Sequence, residues 1–148
     1  MLSLKNQILD IDGIDKFASK FCEYLEIGDV ILLRGELGVG KTTLVRLIIN
    51  NLHLSNNLSK PNSINSPTYP ILLTYELNTY EIYHYDFYRI KNNKELDELN
   101  FYENLNSSIT LIEWPELLFK KPFKEKYYLI DLKFHSENKR ILNASYIE

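Results

Sequence analysis

Three of the five glycines in this chain fall within six positions, at Gly35, Gly38 and Gly40, with Lys41 and Thr42 directly behind them. The run Gly35-Glu36-Leu37-Gly38-Val39-Gly40-Lys41-Thr42 satisfies G-x-x-x-x-G-K-S/T at every fixed position. A loop of this length wraps a phosphate with successive backbone N–H groups, and glycine admits the close approach and the unusual dihedrals. The helix that follows turns its N-terminus to the same anion. Lys41 then reaches the β and γ oxygens, and the Thr42 hydroxyl ligates Mg2+. Composition alone gives roughly 0.0015 chance matches to such a pattern in this chain, so a glycine-rich turn beside a surface lysine is the weaker reading. The pattern reads as a nucleoside triphosphate site.

A triphosphate held this way needs a carboxylate at the end of a neighbouring strand, to hold Mg2+ or to orient an attacking water. Two fit. Glu113 directly ends the apolar run Ile109-Thr110-Leu111-Ile112. Asp86 lies in Tyr83-His84-Tyr85-Asp86-Phe87-Tyr88, where strand alternation puts His84, Asp86 and Tyr88 on one face. With Lys41 they form the candidate catalytic set, and which of the two carboxylates orients water stays open. Ser66-Pro67-Thr68 precedes that segment; Thr68 suits either a switch that bonds the γ-phosphate side or a simple turn cap. His84 reads as structural, because phosphoryl transfer asks little of a general base. His53 and His135 read as surface residues, and no zinc-ligand spacing is present. Lys120, Lys121, Lys124 and Lys126 form the one basic cluster, a solvated face before it is a contact for RNA or an acidic partner.

The elements that must position these residues follow from periodicity. Residues 2–9 alternate loosely as an edge strand. Ile14, Phe17, Ala18, Phe21, Cys22 and Leu25 form one helical stripe, with Cys22 as a small buried hydrophobe. Gly28-Asp29 is a turn, Val30–Leu33 a buried strand, and Lys41 to about Leu52 a helix with Leu44, Leu47 and Ile48 inward. Residues 55–68 read as a long mobile loop, and such loops in small domains are usually functional. Strands at 69–76 and 80–88 flank Leu77-Asn78-Thr79 as an antiparallel hairpin. A short helix after Asn93 turns Leu96, Leu99 and Phe101 inward, residues 109–112 form another buried strand stopped at Trp114-Pro115, and strands at 127–134 and 140–147 close the chain. The fold class is α/β: a single-domain P-loop NTPase over residues 1–148, with a mixed parallel and antiparallel sheet flanked by helices.

The composition agrees. The chain has 148 residues, 45% hydrophobic and 25% charged, with one cysteine and a net charge of −3. That is enough for one buried core, and it speaks against disorder and against a globally basic nucleic-acid binder. No apolar run approaches the roughly 18 residues of a membrane helix, and MLSLKNQILD carries no secretory signature. A lone cysteine fits a reducing, cytoplasmic setting.

Four segments carry a resemblance: LRGELGVGKTT (Leu33–Thr43), SPTY (Ser66–Tyr69), HYDFYRI (His84–Ile90) and LIEWPE (Leu111–Glu116). In order and spacing the chain resembles the TsaE (YjeE) family, the small ATPases of the bacterial machinery that forms threonylcarbamoyladenosine on tRNA. The resemblance implies that ATP binds at Gly35 to Thr43, that Thr42 and Glu113 hold Mg2+, and that Asp86 lies close to the nucleotide. It further implies that Thr68 sits in a switch-like segment, that Trp114 borders the nucleotide, and that Ile11 and Asp12 lie near the adenine. It implies partners as well: TsaD-like and TsaB-like subunits, with tRNA reached only through the complex, no membrane, and ATP hydrolysis that is weak in isolation and keeps the assembly turning over. A small-molecule P-loop kinase is the alternative. A kinase would bring several arginines for its acceptor; only Arg34, Arg46, Arg89 and Arg140 exist, Arg89 is the natural candidate among them, and no lid is evident. A GTP switch would want N-K-x-D, which is absent.

Overall fold

Apolar runs covered on both faces become the middle of one sheet. The computed structural model describes residues 3–69, 71–121 and 123–148. Strand β1 is Ser3–Leu9, β2 Val30–Arg34, β3 Leu72–Glu76, β4 Glu81–Asp86, β5 Ser108–Glu113, β6 Tyr127–Ser136 and β7 Lys139–Ile147. They hydrogen-bond in the order β1-β7-β6-β2-β5-β4-β3. The four inner strands β6, β2, β5 and β4 run parallel. Antiparallel strands extend both edges, β3 on one side and β7 then β1 on the other. The mixed α/β sheet expected from the sequence is therefore present. Every residue of β5 is buried, as a strand sandwiched between two layers requires.

Helices α1 (Ile11–Cys22) and α2 (Lys41–Ser55) cover one face. There Ala18, Phe21, Leu44 and Ile48 pack with Ile31, Leu33, Ile82 and Leu111. The other face carries α3 (Asn93–Glu98), α4 (Phe101–Asn104) and two 3-10 turns, Leu105–Ser107 and Pro115–Lys120. Leu96, Phe101 and Leu105 pack there on Val30, Leu32, Tyr85 and Ile112. Successive strand residues point to opposite faces, so Ile82, His84 and Asp86 share the α2 side. No helix among the described residues is long and apolar enough to cross a membrane.

Several boundaries differ from the periodic reading, each for a local reason. Helix α1 starts at Ile11 instead of Ile14, because the Asp10 side chain caps it by accepting from Gly13 N at 2.8 Å. Its first turn is exposed, so hydrophobic spacing cannot register it. It stops at Cys22, short of Leu25. Strand β4 ends at Asp86 and not at residue 88: the Asp86 carboxylate accepts from Tyr88 N at 2.9 Å and folds the chain into a turn. Tyr88 thus leaves the strand face it was expected to share. His53, expected at the surface, is buried, with Nδ1 2.8 Å from the Ile49 carbonyl oxygen. Residues 56–69 form neither helix nor strand, but they are tied down. Ile64 is 4% exposed, and Arg46 donates twice to its carbonyl at 3.2 Å. Leu2, where the first expected strand begins, and Pro70, inside the expected hairpin arm, lie outside the described residues.

Candidate functional site

Parallel register aligns the ends of three strands. Leu33 of β2 stands beside Glu113 of β5, and Glu113 beside Asp86 of β4. Open α/β sheets bind ligands at this carboxyl edge. The loop from β2 to α2 crosses it. Gly35 is required sterically: a Cβ there would lie 2.5 Å from the Leu132 carbonyl oxygen and 2.8 Å from Val39 Cγ1. Gly40 caps α2 at φ 115°, a left-handed backbone that glycine adopts without strain. Having no side chain, it leaves the first amides of α2 without a side-chain cap.

Lys41 opens α2 and is 5% exposed. Its Nζ donates to the carbonyls of Gly35 at 2.7 Å and Glu36 at 3.0 Å, and lies 3.9 Å from the centre of the Trp114 ring. Among the described residues no carboxylate comes within ion-pair distance of it. Burial pushes its pKa below the ordinary lysine value, against the more distant pull of Glu113, Glu116 and Asp86. An ammonium held by main-chain oxygens and an indole face, at the mouth of a helix N-terminus, is a fitting partner for a polyanion.

The neighbouring oxygens suit a hard cation. The Thr42 hydroxyl sits 2.9 and 3.0 Å from the two Glu113 carboxylate oxygens, and His84 Nε2 lies 2.8 Å from Oε1. Among the described residues no three His, Cys, Asp or Glu side chains gather as a metal cage. Mg2+ needs none. It is commonly held by one or two protein oxygens together with a ligand's phosphates, and the pair Thr42 and Glu113 fits that pattern. Asp86 stands next to them, buried, its Oδ2 accepting from the Ser66 hydroxyl at 2.9 Å. Thr68 Oγ1 lies 3.4 Å from Ser66 Oγ.

After Glu113 the chain turns sharply. Trp114 adopts φ 57° and ψ 59°, a left-handed conformation that bulky residues rarely take. That turn lays the indole across the cleft, against Lys41 and 4.9 Å from the Tyr88 ring. The resulting cleft encloses 390 Å³, and the sequence-derived candidates lining it are Leu37, Gly38, Gly40, Lys41, Thr42, Thr43, Thr68, Asp86, Glu113 and Trp114. Ser66, Tyr88 and Arg89 complete the wall. Leu37 is 79% exposed at the rim, and the Arg89 guanidinium stands 5.6 Å over the ring of Tyr69.

Not every candidate falls here. Gly35 and Glu36 meet the site through their carbonyls, while the Val39 side chain is buried in the core. Ile11 lines a second cleft of 360 Å³ across the loop, with Gly38, Gly40, Thr43 and Arg140. Asp12, exposed in the first turn of α1, lines neither cleft. Motif spacing also leaves some residues out. The Ser66–Asp86 contact spans 20 residues, and the hydrogen bond from Arg140 Nε to the Val39 carbonyl spans 101. Strand alternation does put His84 on the Asp86 face, and that is the one signal that could have brought it in.

Comparison with known proteins adds an independent line. Residues 9–142 match the family described as threonylcarbamoyl adenosine biosynthesis protein TsaE. The chain is 40% identical over 125 residues to the tRNA threonylcarbamoyladenosine biosynthesis protein TsaE of Rickettsia typhi, covering 84% of this chain and 83% of that protein. The protein of the same name from Rickettsia felis is 38% identical over 141 residues, with 95% of this chain and 77% of that one covered. The crystal structure of Bacillus subtilis YdiB superposes with a TM-score of 0.66 at 19% identity, over 98% of this chain and 88% of that one, a likeness of fold.

Proposed function

Because the chain belongs to the TsaE family, we propose that it is a Mg2+-dependent ATPase serving a machinery that forms threonylcarbamoyladenosine on tRNA. One observation carries the reading: a buried Lys41 bonded only to its own loop, beside a Thr42–Glu113 contact at the carboxyl edge of a parallel sheet. The match to family members named for that pathway supplies the biological setting.

The residues divide the work. Loop and helix amides from Gly38 to Thr43 cradle phosphate oxygens, and Lys41 exchanges the carbonyls of Gly35 and Glu36 for the β and γ oxygens. Thr42 and Glu113 hold Mg2+, which neutralises charge on the phosphates when bound. Asp86, oriented by Ser66 and the Tyr88 amide, is the residue placed to orient water or a bound ligand of the cation. Trp114 and Tyr88 border the nucleotide, and Ile11 lies on the loop's other side, where a base can rest. Thr68 sits at the end of the tethered loop as the switch position. TsaD-like and TsaB-like subunits are the partners, tRNA is reached through them, and the cytoplasm is the setting.

The test is an ATP titration with Mg2+ and with chelator. Glu113→Gln keeps the shape but removes the charge on the cation. It should weaken Mg2+–ATP by about 1.5–3 kcal/mol, the range for charge-assisted contacts, and leave Mg2+-free ATP unchanged or tighter. Asp86→Asn should lower hydrolysis more than binding. The opposite pattern reverses the two roles. Products decide between ATPase and kinase: free phosphate supports the reading, and transfer to a nucleoside or sugar overturns it.

A further inference from the structure

His84 is wholly buried in the sheet, 0% exposed, between the α2 layer and β5. Apolar residues hold the neighbouring position Ile82 on the same face and Leu111 beside it in register. A leucine would pack there with no polar group to satisfy. Instead the ring makes a single hydrogen bond, from Nε2 to Glu113 Oε1 at 2.8 Å, while Nδ1 has no partner among the described residues. A carboxylate only accepts, so the nitrogen facing it carries the hydrogen. The imidazole and the Thr42 hydroxyl thus both meet Glu113 Oε1, and Thr42 alone also reaches Oε2.

A carboxylate on a strand end is free to rotate about its last torsion, and only some rotations present a lone pair to a cation beside Thr42. Thr42 cannot fix that rotation, because it sits within 3.0 Å of both oxygens and so prefers neither. His84 touches Oε1 alone. We propose that His84 is the positioning residue of this site: its Nε2–H anchors Glu113 Oε1 and leaves Oε2 to face the cation. The role rests on the reading of Glu113 as a Mg2+ ligand, and the ring fills it by donating one hydrogen bond from Nε2. Hydrogen-bonded outer partners of this kind orient metal ligands, and their loss commonly weakens metal affinity at least tenfold.

Two variants and one spectrum test this. His84→Leu keeps the volume and removes the donor, whereas His84→Gln restores an N–H near the Nε2 position. In the parent, the ratio of ATP affinity with Mg2+ to affinity with chelator gives the gain due to the cation. His84→Leu should cut that gain by about tenfold, with Mg2+-free ATP binding unchanged, and His84→Gln should recover most of it. In the Glu113→Gln background His84→Leu should add nothing further. A His84→Leu protein with the parental gain overturns the proposal, as does an equal loss in both variants. A parent that shows no Mg2+ gain defeats the underlying reading of Glu113 instead. Imidazole nitrogen spectra of the nucleotide-free parent apply whether or not the variants fold: a Nε2–H tautomer at His84 is expected, and a Nδ1–H tautomer overturns the assignment.

Discussion

At the scale of the residue, the site is organised around a lysine in an environment that disfavours its charge. Burial lowers the Lys41 pKa, so the folded protein releases that proton at a lower pH than the unfolded chain does. Between the lowered value and the ordinary lysine value of 10.5 the unfolded state binds more protons. Stability therefore rises with pH across that window, and at neutral pH the full cost of the buried charge is present. Lys41→Met removes the charge and keeps the apolar stem. Without nucleotide, this variant should be more stable than the parent near pH 7, with the margin narrowing as pH climbs toward 10.5. Denaturant melts of both proteins over that range check the sign; a margin that is flat or widens refutes it. With nucleotide present the order should invert, because the parent gains ligand stabilisation that the variant lacks.

At the scale of the element, caps and turns decide where the chain stops being regular. Asp10 caps α1 through Gly13 N, and Asp10→Ala should cost about 1 kcal/mol, read as a lower melting temperature. The same level separates what the sequence reveals from what it hides. The loop between β2 and α2 was legible because its glycine spacing is distinctive, and β2 and β5 because buried parallel strands are mostly apolar. Glu113 was legible as the acid that ends such a strand. The first turn of α1 was not, since Ile11 is exposed and outside the stripe. His53 was misplaced because its one partner is the main chain of its own helix, which no side-chain pattern reports. His84 acquires its partner only when β4 lies beside β5, and Ser66 only when its loop reaches Asp86. Hydrogen bonds between distant segments leave no local trace in a sequence.

At the scale of the whole molecule, the cleft has a floor and one wall but little cover. Its rim carries Leu37, a large apolar side chain left exposed. Little covers this cleft from bulk water, and fast phosphoryl transfer depends on tight positioning and the exclusion of that water. The isolated chain should therefore hydrolyse ATP slowly, and adding TsaB-like and TsaD-like subunits should raise phosphate release severalfold or more. A coupled phosphate assay with and without those subunits measures this. Rapid turnover by the chain alone, unchanged on mixing, would remove the basis for activation by assembly.

The edge of the sheet has a consequence in time. Among the described residues strand β1 has β7 as its only sheet neighbour, and Asn6 N reaches Asn143 Oδ1 across 137 residues. On a ribosome, β1 emerges well before β7 and must wait, with that edge unpaired, until β7 has been made. The phosphate loop and its four-strand parallel frame can assemble meanwhile, once β6 is out, since none of their pairings involves β1. The cleft at the sheet's carboxyl edge can thus take shape while one margin of the sheet is still open. A nucleotide already present at that stage would be the first ligand able to hold the half-finished molecule together.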